Sequence, residues 1–270
     1  MMRGDFHVHT TYSDGKLNID EVLAFAKTKV DVVAITDHDE VDGSVVAGDI
    51  AKEYGLELVY GVEVSSYNRG ESVHILGYFK DVNDMLKVRS FLKKQTENRR
   101  IRCIVIKELL KEHYNLDLNI DKLLNRSCVT RGSIAQQMLE QGLVSTIKEA
   151  FDKYIGENCK AYLPSTHFAT VDAIKMLKEA NAKVFLAHPV RFKVNDPEEI
   201  IKMGVDGIEA FYSTNTKEDD VKYLELAKKY NLYVSAGSDF HHYDDYKHGD
   251  IGCVYLEGER LERFLKFIKE

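Results

Sequence analysis

Short apolar runs that end in ionisable residues recur along this chain, and they restrict its fold more than any other feature. Val30-Asp31-Val32-Val33-Ala34-Ile35 is rich in β-branched residues and leads straight into Thr36-Asp37-His38-Asp39. Such a run reads as a buried strand of a parallel sheet. Residues 56–64 form a third strand with Glu63 near its end, and residues 73–78 a fourth that carries His74. Residues 182–187 lead into His188-Pro189, residues 207–211 into a polar loop, and residues 232–237 into Ser238-Asp239-Phe240-His241. Between these runs lie stretches with helical periodicity, at residues 18–28, 43–54, 171–181, 197–203, 219–230 and 259–269. Asn18 with Glu21 three residues later is a capping-box signature for the first of them. The β-α-β-α-β rhythm predicts an α/β domain with a parallel, closed sheet.

The first strand carries the densest signal. In Asp5-Phe6-His7-Val8-His9-Thr10, apolar residues alternate with histidine, so His7 and His9 project from one face. Ser13-Asp14-Gly15 is a turn that sets a carboxylate beside them. Alone, this would be a polar edge strand. It is not alone: His7, His9, Asp14, His38, Glu63, His74, His188, Asp239 and His241 all fall at or just after strand ends. Six of the chain's 10 histidines are in that set. His113, His167, His242 and His248 lie outside the pattern and read as solvated surface. In an α/β barrel the ends of the strands carry the chemistry. One ion takes three or four protein ligands, so this set suits a cluster of two or three ions, with Glu63 a candidate bridge. Mixed nitrogen and oxygen ligation admits Mn, Fe or Zn.

The alternation stops at about Asp81. Residues 82–162 show no strand pattern, but one long or broken helix over 85–113 and shorter helices over 121–125, 131–141 and 146–154. This predicts an all-helical insertion over 81–163 in a barrel made of residues 1–80 and 164–270. An insertion at the functional end would serve as a lid. The net charge of −7 and the lack of a long basic run argue against long nucleic acid as a partner. Cys103, Cys128, Cys159 and Cys253 show no CxxC spacing and read as reduced thiols. No signal peptide or membrane-spanning run is present, which makes a cytoplasmic location the default expectation.

In order, His7-Val8-His9-Thr10, Thr36-Asp37-His38-Asp39, Glu63, His74, His188-Pro189 and Ser238-Asp239-Phe240-His241 resemble the motifs of the PHP (polymerase and histidinol phosphatase) family over residues 1–80 and about 164–258. The resemblance implies a distorted (βα)₇ barrel, three divalent ions and phosphoester hydrolysis. It implies a first ion on His7, His9, Glu63 and Asp239. Asp14, His38 and His241 would take the second, and Glu63, His74 and His188 the third. The helical insertion resembles the branch of nucleoside 3′,5′-bisphosphate phosphatases. There Arg131, opening a helix after Thr130, would pair with a phosphate. Arg191 and Lys160 are further candidate anion ligands.

The reaction expected is hydrolysis of a phosphomonoester on a small metabolite, such as a nucleoside 3′,5′-bisphosphate, by a hydroxide bridging two ions. Asp14, His38, Glu63, Asp239 and His241 would surround the reacting centre. Asp37 and Asp39 would orient His38 or meet the lid. Rival readings are a 5′-3′ exonuclease on short oligonucleotides, a cyclic sugar phosphate hydrolase, and an inactive metal-binding module. Nothing in the sequence fixes the oligomeric state.

Overall fold

The computed structural model describes every residue except 125–128, 164–167, 244 and 246. Asn125, Cys128, Pro164 and His167 therefore lie outside the described residues. Among the described residues, nine strands and eleven α-helices follow in this order: β1 (Arg3–Val8), α1 (Ile19–Ala26), β2 (Val32–Ile35), α2 (Asp42–Ile50), β3 (Glu57–Asn68), β4 (Glu71–Phe79), α3 (Val82–Leu86), α4 (Arg89–Tyr114), α5 (Asp121–Leu124), α6 (Arg131–Glu140), α7 (Ile147–Ala150), β5 (Phe168–Ala169), α8 (Thr170–Glu179), β6 (Lys183–Leu186), α9 (Pro197–Ile201), β7 (Gly207–Tyr212), α10 (Lys217–Lys229), β8 (Tyr233–Gly237), β9 (Leu256–Glu257) and α11 (Gly258–Lys269). The capping box expected at Asn18 and Glu21 opens α1.

The chain forms two compact units, residues 1–92 with 168–270, and residues 93–167. The first holds the sheet, in the order β8-β7-β6-β4-β3-β2-β1-β9, with β5 on β3. Beyond β8 the chain returns to β1: a bridge joins Val8 and Phe240, the His9 amide donates to the Phe240 carbonyl at 2.9 Å, and the Asp239 amide donates to the His7 carbonyl at 2.9 Å. Seven strands thereby close into a barrel.

That barrel is not uniformly parallel. β1–β2, β2–β3, β6–β7 and β7–β8 are parallel, but β4 runs antiparallel to both β3 and β6. The expectation of an all-parallel sheet is corrected here. A two-residue turn at Arg69-Gly70, both with positive φ (46° and 83°), folds β4 back on β3, as tight hairpin turns require. Glu63 accordingly lies midway along the twelve-residue β3 and not near its end. His74 lies near the start of β4, and the reversed direction is what brings it to the same end of the sheet as the other ligand candidates.

Burial explains the pattern of apolar runs. Val8, Val33 and Ile35 pack with Val22, Leu23 and Ala26 of α1 and with Ala47 of α2. Phe6, Tyr78 and Phe185 pack on Phe264 of α11, with ring centroids 4.2, 5.3 and 5.5 Å away. Each such ring contributes roughly 2–3 kcal/mol through burial. The second unit has its own core, built on Ile106 and Leu110 of α4, Ile134 and Met138 of α6, and Ile155. Between residues 93 and 163 no strand occurs among the described residues. Nor is any described helix long and apolar enough to cross a membrane.

Candidate metal centre

The site is built where β1, β2, β3, β6 and β8 end or pass. His74 sits opposite Ser65 in the β3–β4 register. Residues two apart on a strand share a face, so His74 is the diagonal neighbour of Glu63. Three residues at this end adopt positive φ without being glycine: Asp39 (52°), His188 (25°) and Asp239 (56°). Strain of this kind concentrates at functional sites, where the surroundings hold it in place.

Glu63 is fully buried and central. Its Oε2 lies 3.1 Å from His7 Nε2, 3.2 Å from His9 Nε2 and 2.9 Å from His38 Nδ1. Its Oε1 lies 2.9 Å from both His74 Nδ1 and His188 Nε2. Asp239 Oδ1 lies 3.4 Å from His7 Nε2 and 3.1 Å from His9 Nε2. Asp14 is 3.2 Å from His241 Nε2, 3.8 Å from His9 Nδ1 and 3.9 Å from His38 Nε2. All nine residues singled out by sequence thus meet in one place.

Several of these contacts are close but are not hydrogen bonds. His7 Nε2, His9 Nε2, His38 Nδ1 and Glu63 Oε2 are buried and have no partner in hydrogen-bond geometry. Buried polar atoms are nearly always satisfied. Nitrogens and carboxylate oxygens that crowd together without sharing hydrogens are arranged as ligands are, around a cation. Among the described residues, donor atoms here fall into four compact sets: His7, His9, Glu63 and Asp239; His9, Asp14, His38 and His241; His38, Glu63 and His74; and Asp239, His241 and His248. The donor chemistry fits divalent ions with mixed nitrogen and oxygen ligation.

The electrostatics say the same. Burial would raise Glu63, yet the imidazoles of His38, His7 and His74 hold its carboxyl well below the usual range. Burial likewise opposes Asp239 and Asp14, and neighbouring histidines hold both well below it: His7, His9 and His241 act on the first, His38, His241 and His9 on the second. Burial would lower His9, but Asp239 and Glu63 push it up to about 10. The three carboxyls are thus held ionised among the imidazoles that surround them.

A ring of supporting groups orients these side chains. Glu209, on β7 and fully buried, accepts from His7 Nδ1 at 3.0 Å and from the His188 amide at 2.7 Å. A carboxylate on Nδ1 leaves Nε2 as the lone-pair nitrogen facing the centre. Asp5 accepts from the Ser238 amide at 3.0 Å and the Gly252 amide at 2.9 Å, anchoring the chain before Asp239. Tyr212 donates its hydroxyl to Asp239 Oδ2 at 2.8 Å. Neither Glu209, Asp5 nor Tyr212 was singled out by sequence. Each lies in a strand or at its end, two or three residues from a marked one or on a strand that ends in a polar loop, and that placement was the available signal.

Two sequence expectations are corrected. Asp37 does not reach His38. It accepts from the Thr10 amide and hydroxyl, both at 2.8 Å, and from the Ser13 hydroxyl at 2.6 Å, and Ser13 in turn lies 3.3 Å from His9 Nδ1. Asp37 therefore fixes the loop that carries His9 and Asp14, while Asp39 accepts from the Ser65 amide at 2.9 Å. His248 is not solvated surface. Its ring stacks on His241 at 4.2 Å, and its Nε2 is 3.6 Å from Asp239 Oδ2.

Of the three cations marked as anion ligands, Arg191 stands at the rim of this cluster, with Nη1 donating to Asp239 Oδ2 at 3.2 Å and its side chain 39% exposed. Arg131 and Lys160 belong to the second unit. Arg131 opens α6, whose N-cap Thr130 forms a capping box with Ser133, and its guanidinium lies 5.1 Å from the centre of the Tyr162 ring. Lys160 is exposed, and its amide donates to the Tyr114 hydroxyl at 3.0 Å.

Known proteins resemble this chain in sequence and in fold. A sequence model of the PHP domain matches residues 5–164. A 5′-3′ exoribonuclease from Haemophilus influenzae is 32% identical over 246 residues, spanning 88% of this chain and 89% of that protein. A phosphoribosyl 1,2-cyclic phosphate 1,2-diphosphodiesterase from Eggerthella lenta is 28% identical, spanning 88% of this chain and 93% of that one. A 3′,5′-nucleoside bisphosphate phosphatase from Chromobacterium violaceum is also 28% identical, spanning 88% and 86%. Among solved structures, a metal-dependent phosphoesterase candidate from Bifidobacterium adolescentis superposes with a TM-score of 0.80 at 25% identity, covering 97% of this chain and 95% of that one. The chain belongs to the PHP domain family of metal-dependent phosphoesterases.

Proposed function

We propose that this chain hydrolyses a phosphomonoester on a small phosphorylated metabolite, with a nucleoside 3′,5′-bisphosphate as its substrate. The observation that carries the reading is the group of buried, hydrogen-bond-free donor atoms on His7, His9, His38 and Glu63. In this reading His7, His9, Glu63 and Asp239 hold one ion, Asp14, His38 and His241 a second, and Glu63, His74 and His188 a third. Divalent ions held there would bring water to hydroxide near neutral pH and offset the charge that builds on the phosphate oxygens.

The protein's own groups do the rest. Glu209 and the Ser13–Asp37 pair keep the imidazoles of His7 and His9 aimed inward. Arg191, partly exposed at the rim, offers its guanidinium to a phosphate, so that binding energy serves orientation. Arg131 and Lys160 are proposed to grip the second phosphate of the substrate. The C. violaceum relative supports the bisphosphate as substrate. A second reading, removal of nucleotides from the 5′ end of short RNA, is supported by the higher identity to the H. influenzae exoribonuclease.

The test is turnover by protein reconstituted with Mn, Fe or Zn. Three substrates are offered: a nucleoside 3′,5′-bisphosphate, a 5′-phosphorylated oligoribonucleotide and a cyclic sugar phosphate. Release of phosphate from the first, with little action on the others, is expected. Preference for the oligoribonucleotide would favour the second reading and overturn the first. His38→Ala should abolish turnover, and Arg131→Ala should weaken doubly phosphorylated substrates more than singly phosphorylated ones.

A further inference from the structure

The family motifs leave His248 without a role, yet it is tightly placed. Its Nδ1 lies 2.7 Å from Asp245 Oδ2, and its side chain is only 14% exposed. A carboxylate only accepts, so Nδ1 carries the proton and donates. Nε2 is then a lone-pair acceptor, and it meets Arg191 Nη2 at 3.3 Å. The other terminal nitrogen of the same guanidinium donates to Asp239 Oδ2 at 3.2 Å. Tyr212 donates to that same oxygen and lies beneath the guanidinium, 5.8 Å from ring centre to Cζ.

Arg191 is therefore held along one edge by two acceptors on different chain segments, while its side chain stays 39% exposed. An arginine left to itself has many rotamers to lose on binding an anion. One already fixed by Asp239 and His248 presents a planar donor fork at little further cost.

We infer that His248, oriented by Asp245, is a positioning residue that pre-sets Arg191 to receive a phosphate group at the rim of the centre. This rests on the phosphate-binding role proposed above for Arg191. It assigns a function to two residues, Asp245 and His248, that lie beyond the last ligand motif.

The test is a double-mutant cycle read by binding of inorganic phosphate to metal-loaded protein, measured by calorimetry alongside metal content. His248→Ala should weaken phosphate binding roughly tenfold, the scale of one lost charge-assisted hydrogen bond. His248→Gln, whose side-chain oxygen can still accept from the guanidinium, should recover part of that loss. In an Arg191→Ala background, His248→Ala should change phosphate binding by less than about twofold, because the residue acts through Arg191. Multiplicative losses in the two variants would overturn the inference. So would a fall in bound metal in His248→Ala, which would make His248 a ligand. Because the probe is phosphate itself, failure of the substrate assignment leaves this cycle readable, and failure of the cycle leaves the substrate assignment standing.

Discussion

Glu209→Gln is the sharpest perturbation available, because it changes a single atom type in a fully buried position. The native carboxylate accepts twice, from His7 Nδ1 at 3.0 Å and from the His188 amide at 2.7 Å. Glutamine has one accepting oxygen and one donating nitrogen. If its oxygen faces the His188 amide, its NH₂ group faces His7 Nδ1. The imidazole must then switch tautomer, which places a hydrogen on Nε2 where the lone pair was aimed at Glu63 and Asp239. If the amide flips, the His188 N–H meets a donor and is left unsatisfied, at a cost of about 1–3 kcal/mol. The first outcome damages metal binding, the second stability, and no orientation avoids both. Loss of such an orienting carboxylate typically weakens metal affinity about 10–100-fold. The assay is competition for metal against a chelator of known affinity, with urea denaturation of the metal-free protein in parallel. Wild-type values in both measurements would refute the orienting role of Glu209.

Gly237→Ala should also act through His7: a Cβ there would fall on His7 Cβ and Glu209 Oε1, and overpacking of this kind costs about 1–3 kcal/mol, visible as a lower denaturation midpoint and reduced metal content. Glu71 accepts from the amides of Lys193, Val194 and Asn195 at 2.7–3.1 Å. Burial acts to raise its carboxyl, but the amides of Asn195, Lys193 and Val194 outweigh this and leave it lowered. Its contribution to stability is therefore complete above the ordinary carboxylate range and is lost as pH falls through the lowered value. Glu71→Gln should destabilise at neutral pH and shrink toward no effect in acid, and denaturation midpoints at several pH values check the sign. Burial pushes the Cys103 thiol up to about 11, with the Arg102 guanidinium opposing it only in part. In native protein at pH 8 it should resist alkylation and be labelled only on unfolding, as peptide mass spectrometry would reveal.

How much of this was legible in the chain depended on which physical signal each residue leaves. His7 and His9 were legible because a strand has period two and puts both rings on one face. His38, His188, Asp239 and His241 were legible because a polar group directly after a β-branched run marks a strand end. The direction of β4 was not read, since alternation looks the same either way. The signal was the two-residue Arg69-Gly70 connection between Asn68 and Glu71, too short for any crossover to a parallel strand. Glu209 was hidden for a different reason. β7 is buried on both faces along Gly207–Ala210, so a lone Glu in that run carries no periodic mark of which side it faces. Only the partner strands decide, and they place His7 and His188 against it.

His248 marks the limit of such reading. It stands seven residues after His241 in a polar stretch, and spacing alone gives it no more meaning than His242 beside it. What separates the two is their neighbours: the His248 ring stacks on His241, while His242 Nδ1 lies 2.6 Å from the Tyr243 carbonyl. Ligand motifs are legible because a metal demands donors at strand ends, whatever the rest of the chain does. The groups that hold those donors answer to local packing, and packing is settled only when distant segments meet. A family resemblance therefore marks the candidate donors, and the groups that hold Asp239 and Arg191 are read only from the fold.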